Sequence, residues 1–346
     1  MKHLRPIAIT ATAVVLLAIG LYALKGNRIT PSFYYWKTTF RLSPHEHRLL
    51  ASQQVDELFV RFFDVDREAS QGKAQPLGML TVRDTSLRGF KVIPVVFITN
   101  RVFQQAPPEE VKQLANNVWS TIRHMADEHH LQMSEIQIDC DWTESSKAAY
   151  FGFLSQLKEQ LLPLQLPLSA TIRLHQVKYP ARTGIPPVDR GMLMFYNMGN
   201  LSDSTANSIY NSGDAAKYVT SVRDYPLPLD VALPLFSWVV HEREQRIIEL
   251  MSNTYAHELD TLPGVVRTDG GHYRVEQAQY FRGAYLRRGD RLRAQAVPPA
   301  LALEAARQLA PHLRAEHRRV ALFRLDSLTL LHYEEKEIQA IVDCFR

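Results

Sequence analysis

Beyond residue 28 the chain alternates short β-rich runs with segments of helical spacing, and it does so about eight times. That rhythm restricts the fold more than any other feature of the sequence. A strand followed by a helix and another strand is the repeating unit of parallel α/β proteins. The expected strands are 32–40 (SFYYWKTTF), 57–64 (ELFVRFFD), 91–99 (KVIPVVFIT), 135–142 (EIQIDCDW), 168–174 (LSATIRL), 191–197 (GMLMFYN), 230–240 (DVALPLFSWVV) and 319–326 (RVALFRLD). Helices are expected to open at Ser43-Pro44, with Ser43 as cap, and to cover 107–129, 145–162, about 215–224, 299–312 and 334–345.

Eight such units argue for a closed α/β barrel, a (β/α)8 TIM barrel. The alternative is an open doubly wound sheet, but no glycine-rich phosphate loop follows the first strand. With residues 1–28 set aside, roughly 318 remain for one barrel domain at 29–346, within the usual range for this architecture. Hydrophobic residues make up 46% of the chain and charged residues 22%, which excludes a disordered polymer. One stretch breaks the rhythm. About 246–297, with turns such as TDGGHYR and RGAYLRRGD, reads as a β-rich insertion after strand seven.

Lys2 and Arg5 precede an uncharged run at 6–24, and Lys25 and Arg28 close it. Nineteen such residues can just span a bilayer, and a signal peptide has the same layout. Residues 1–28 are therefore expected to be a signal peptide or membrane anchor. The folded part would then be exported, periplasmic or held at the inner membrane facing the periplasm. The net charge of +4 is scattered; the densest cluster is Arg282, Arg287, Arg288, Arg291 and Arg293 around Asp290. No binding motif accompanies it, so no nucleic acid partner is expected. Cys140 and Cys344 fall on distant parts of a barrel and are expected to be buried free thiols.

Active sites of such barrels form at the C-terminal strand ends. Polar residues gather there: Asp64 and Asp66 after strand two, Asp139 and Asp141 on strand four, Tyr196 and Asn197 on strand six. Trp238, His241 and Glu242 follow strand seven, and Asp326 strand eight. Alternation puts Asp139, Asp141 and Thr143 on one face, with the two aspartate Cα atoms about 7 Å apart. Two inward carboxylates this close tend to ionise at different pH, giving one acid and one charge stabiliser. That arrangement suits glycosidic cleavage. A second possible pair is Asp141 with Glu242, from strands four and seven. The bland alternatives are equally concrete. Asp139 and Asp141 could be neutralised by Arg61, Arg173 or Arg324; Asp64 and Asp326 could cap loops; Glu242 could start a helix. Tyr34, Tyr35, Trp36 and Trp238 suit either a sugar face or the core. His129-His130 reads as a helix end, and no metal set can be assembled.

The D-x-D-W of Asp139–Trp142 resembles part of the D-x-x-D-x-D-W-E motif of family 18 glycoside hydrolases, the chitinase type. MFYN at 194–197 is similar to that family's M-x-Y-D/N. The resemblance implies a barrel with an inserted lobe after strand seven. It also implies that Asp141 orients a substrate acetamide and that Tyr196 hydrogen-bonds its carbonyl. The family's proton donor follows the tryptophan, where this chain has Thr143, and the family's S-x-G-G on strand three is replaced by VVFITN. The sequence thus leads to a glycoside hydrolase-like protein acting on a polysaccharide or oligosaccharide by acid-assisted hydrolysis, without a cofactor. Asp141 would be the acid, Asp139 its electrostatic partner and Glu242 or Asp64 the second carboxylate. Tyr196, Asn197, Trp36, Trp238 and Asp326 would be substrate contacts. The rival is a non-catalytic carbohydrate-binding barrel of a cell-envelope polysaccharide system.

Overall fold

Eight parallel strands close on themselves in the computed structural model, which describes residues 29–67, 72–104, 106–314 and 316–346. They are β1 (Ile29–Tyr35), β2 (Glu57–Arg67), β3 (Lys91–Ile98), β4 (Ile136–Asp139), β5 (Leu168–Arg173), β6 (Arg190–Met194), β7 (Leu229–Pro234) and β8 (Arg318–Phe323). Each pairs with its sequence neighbour, and β8 pairs with both β7 and β1, which closes the cylinder. Both faces of these strands are covered, so apolar residues run on with little alternation; β2 is buried from Glu57 through Phe63. The expected span at 6–24 lies outside the described residues. Among the described residues no helix is long and apolar enough to cross a membrane.

The outer helices follow local signals. α1 (Pro44–Ser52) carries a complete capping box: Glu46 N–H donates to Ser43 Oγ (3.1 Å), and Ser43 N–H to Glu46 Oε2 (2.7 Å). α2 (Pro108–His129) begins with Glu109 and Glu110 at the positive end of its dipole and stops at His130, which turns left-handed. α3 (Lys147–Leu161) packs beside it, and α4 (Pro299–Leu309) and α5 (Glu335–Asp343) cover the far side. The helix expected at 215–224 is shorter and earlier, Ser212–Ala216, because Asn211 caps it by accepting from Asp214 N–H. Only a single tight turn, Val219–Ser221, follows.

Several expected strands ran on too far at their C-terminal ends. The one at 230–240 is two. β7 stops at Pro234, which has no N–H to offer a further rung. Ser237–Arg243 then opens a separate five-stranded antiparallel sheet with Arg246–Ser252, Arg291–Ala296, His272–Val275 and Val265–Asp269. This lobe therefore begins at Ser237, not near residue 246. It has its own small core of Val239, Met251, Leu259, Tyr273, Val275, Leu286 and Leu292.

Inside the cylinder the layers are polar in places. Tyr34 OH donates to Gln137 Oε1 (2.5 Å), and Gln137 Nε2 donates to Ser169 Oγ (3.2 Å). At the N-terminal end Arg319 of β8 meets three buried carboxylates. It lies against Glu57, Glu135 (2.8 Å) and Asp230 (3.0 Å); Arg190 also pairs with Asp230 (2.6 Å). One acid exceeds the available cations, and its Oε1 has no hydrogen-bond partner: Glu135. Burial, opposed by Arg319, pushes the Glu135 carboxyl up to about 7 from an ordinary 4.5. A carboxyl raised by folding stabilises fully below its unfolded value, and that contribution is lost as pH rises towards about 7. Glu135→Gln should therefore flatten the stability profile between about pH 5 and 8 and leave the variant relatively more stable at the upper end, by on the order of 2 kcal/mol. Urea unfolding at both ends of that range reads the effect; an unchanged slope would exclude Glu135 as its source.

Candidate functional site

At the C-terminal rim β4 delivers the two aspartates on one face, as alternation requires. Asp139 is buried and its Oδ1 accepts from Thr171 Oγ1 of β5 (2.7 Å). Burial holds its carboxyl above the ordinary range; Arg173 opposes that shift and Asp141 adds to it. Asp141, a step further out, has more than half of its side chain exposed. It takes a two-pronged bond from Arg173 at the end of β5, through Nε (2.5 Å) and Nη2 (3.2 Å). Asp139 and Asp141 hold the Arg173 guanidinium charged despite its burial. The outward-facing residues behave as the alternation predicts: Cys140 and Trp142 are buried, and Trp142 stacks on Tyr150 of α3 (5.2 Å between centroids). Both cysteines are free, Cys140 buried as expected and Cys344 only partly so, near the end of the terminal helix.

The aspartates open on a hollow of about 370 Å³ at the barrel mouth. Asp64, Asp139, Asp141, Tyr196, Asn197, Trp36 and Trp238 all line it, so seven residues singled out in the sequence converge. Asp64 is held by Arg61 through both oxygens (2.8 and 2.6 Å). Asp66 lies outside the hollow, where the Arg101 guanidinium beside it holds its carboxyl well below the usual range. A second space of about 430 Å³ adjoins and shares Asp141, Arg173, Tyr196 and Asn197; His175 and Tyr218 extend it outward. The two form one groove passing over Asp141.

The groove's wall is aromatic. Trp36 lies 5.6 Å from Phe323, Tyr196 5.5 Å from Phe323 and 5.6 Å from Phe236, and Phe236 5.4 Å from Trp238. Trp238 is locked by its Nε1, which donates to Gln295 Oε1 (2.9 Å). Tyr196 OH has only the weak acceptor Met194 Sδ (3.2 Å), leaving a good donor facing the hollow. Asn197 sits in the left-handed region (φ 54°), with its N–H tied to Ile209 O (2.7 Å). Tyr34 and Tyr35 belong to the core; Tyr34 stacks on Phe59 at 4.7 Å.

Two expected site residues are elsewhere. Glu242 lies on the lobe strand beyond the break at Pro234, where Arg293 pairs with it (3.3 Å), so the Asp141–Glu242 pair does not form at the hollow. Asp326 caps Ser327–Leu330 by accepting from Leu328 N–H (3.0 Å) and pairs with Lys37 (3.3 Å). His241 is buried in the lobe, bonded to Asp290 (2.7 Å). Phe236, Asn253, Phe323, His175 and Tyr218 were missed, and Arg324 was expected only as a partner for the aspartates. Phe236 and Phe323 sat inside apolar runs that read as ordinary strand, and nothing local marks Asn253.

Thr143 stands at the rim of the outer space. Its hydroxyl lies 3.0 Å from Ser145 Oγ, and Asn100 Nδ2 donates to it at 3.4 Å. Neither threonine nor these neighbours can supply a proton to a leaving sugar oxygen at ordinary pH.

No protein-family model matches the chain, and no curated protein sequence matches it. Solved structures do match by fold. The spore cortex-lytic enzyme SleL of Bacillus cereus superposes with a TM-score of 0.55 at 16% identity, over 93% of this chain and 75% of that one. A chitinase from Chromobacterium violaceum gives 0.51 at 12% identity, over 90% and 98%. The chitinase-like agglutinin RobpsCRA of Robinia pseudoacacia gives 0.50 at 13%, over 91% and 99%. The chain is thus a (β/α)8 barrel that shares its fold with a lytic enzyme, a chitinase and an agglutinin alike.

Proposed function

We propose that this protein is a glycan-binding barrel, holding an oligosaccharide segment in the aromatic groove over Asp141 without cleaving it. One observation carries the reading: each carboxylate at the hollow is already engaged by the protein, while Thr143 stands where the resemblance to family 18 puts the proton donor. Asp64 is on Arg61, Asp139 on Thr171 and Asp141 on Arg173. Trp36, Phe236 and Phe323 offer flat apolar faces suited to pyranose rings, while Tyr196 OH and Asn197 offer hydrogen bonds. By its resemblance to family 18, Asp141, held by Arg173, would accept from an acetamide N–H, and Tyr196 would donate to its carbonyl. The charge-flanked run at 6–24 supports an export route to cell-envelope polysaccharide and a hold on the inner membrane.

A second reading, acid-assisted hydrolysis, is favoured by Asp139, whose raised carboxyl keeps its proton to higher pH than an ordinary aspartate. Turnover by the unaltered protein would select it. The binding reading is tested by calorimetry with neutral chito- and gluco-oligosaccharides. Trp36→Ala should weaken binding about tenfold or more, as loss of a central aromatic anchor does, and Trp36→Phe should restore most of it. No heat from any neutral or acidic oligosaccharide, or equal affinity in both variants and the parent, would overturn it.

A further inference from the structure

The groove has an unbalanced charge. Among its lining guanidiniums and those gripping its carboxylates, Arg61 is held by Asp64 and Arg173 by Asp141. Arg324, which follows Phe323 at the end of β8 and lines the inner hollow, has no carboxylate within 4 Å among the described residues. Its Nε is buried and has no hydrogen-bond partner. Asp326 attracts it only from farther off and is itself occupied by Lys37 and the Leu328 N–H. On the same lining, Asn253 Oδ1 is a buried acceptor without a partner.

A guanidinium stays protonated at any working pH, so this charge persists, partly desolvated and unmatched. Burying such a group alone is unfavourable, and a bound anion would relieve it. Shape and charge narrow the anion. A guanidinium edge matches a carboxylate through two parallel N–H···O bonds. A phosphate dianion fits less well, because Asp64, Asp139 and Asp141 line the same hollow and repel a second negative charge. The flat rings of Phe323 and Trp36, 5.6 Å apart, adjoin Arg324 on this wall and suit a pyranose carrying that carboxylate.

Resting on the glycan-binding reading, we propose that the hollow selects an acidic sugar, its carboxylate gripped by Arg324 and a neighbouring hydroxyl donated to Asn253 Oδ1. A ring carboxylate, as in a uronate, and a lactyl ether carboxylate present the same chemistry to Arg324. Calorimetry should compare a uronate-containing hexasaccharide with its carboxyl-reduced form, and an N-acetylmuramic acid-containing oligosaccharide with its carboxamide. The unaltered protein should bind at least one acid form about tenfold more tightly than its neutral twin. Whichever pair shows the gap identifies the source of the carboxylate. Arg324→Gln should bring that ratio to about one, with a circular dichroism spectrum and urea midpoint like the parent's showing that the variant is folded. Arg324→Lys, keeping charge but losing the fork, should fall between. Neutral sugars bound with no acid preference, or a preference surviving in Arg324→Gln, would overturn this proposal alone. Failure to bind any of the four sugars would overturn the glycan reading along with it.

Discussion

Thr143→Glu is expected to give the proposed glycan-binding groove a slow glycoside hydrolase activity. The substitution places a carboxylic acid where the resemblance to family 18 puts the proton donor, at the rim of a groove that already has Asp141, Arg173 and Tyr196 in place. General acid catalysis by a positioned side chain contributes about 10²- to 10⁴-fold, so product release should rise by at least about a hundredfold over the unaltered protein. Release of reducing ends from chito-oligosaccharides measures it directly. Binding should change little, since Thr143 lines the outer space and not the aromatic hollow, and its hydroxyl contacts Asn100, Ser145 and Ser146. Two results count against the idea. One is a parent protein as active as the variant, which would move the acid to Asp139. The other is a variant that binds normally and remains inert.

The largest stability effect should come from the opposite end of the barrel. Arg319→Met removes the cation shared by Glu57, Glu135 and Asp230, all of them buried. Breaking a buried ion pair by deleting one partner costs about 3–5 kcal/mol, because the remaining charges stay desolvated without compensation. That approaches the whole stability of many domains, so poor recovery or a strongly lowered urea midpoint is expected. Arg190 still holds Asp230, so the deficit falls mainly on Glu57 and Glu135. Adding Glu135→Gln to Arg319→Met should therefore recover part of the loss, a coupling that a double-mutant cycle reads. A variant as stable as the parent would show that the cluster is not held by its central charge.

Much of this architecture was readable before any coordinates. Runs such as ELFVRFFD and KVIPVVFIT are covered on both faces, by helices outside and by the barrel interior within, and the apolar continuity needed for that is written in the residues themselves. The PPEE start of α2 and the Ser43–Glu46 box are equally local, since a cap acts within one turn. Asp139 and Asp141 were placed on one inward face by the two-residue period of a strand.

The strand ends were harder. Past the rim a chain can keep strand-like composition after it has lost its neighbours, which is why 230–240 read as one strand until Pro234 ended it and Glu242 left for the lobe. The same limit applied to ion pairing. Arg61, Arg173 and Arg324 were all plausible partners for the aspartates. Arg61 turned to Asp64 three residues away, Arg173 reached Asp141 from the adjacent strand, and Arg324 reached neither. Composition and periodicity therefore determined the barrel and the face on which its acids stand, because those depend on contacts along one segment. Closure of the cylinder decided which charges meet and which stays unmatched. Those distances run between strands far apart in sequence, and no local pattern encodes them.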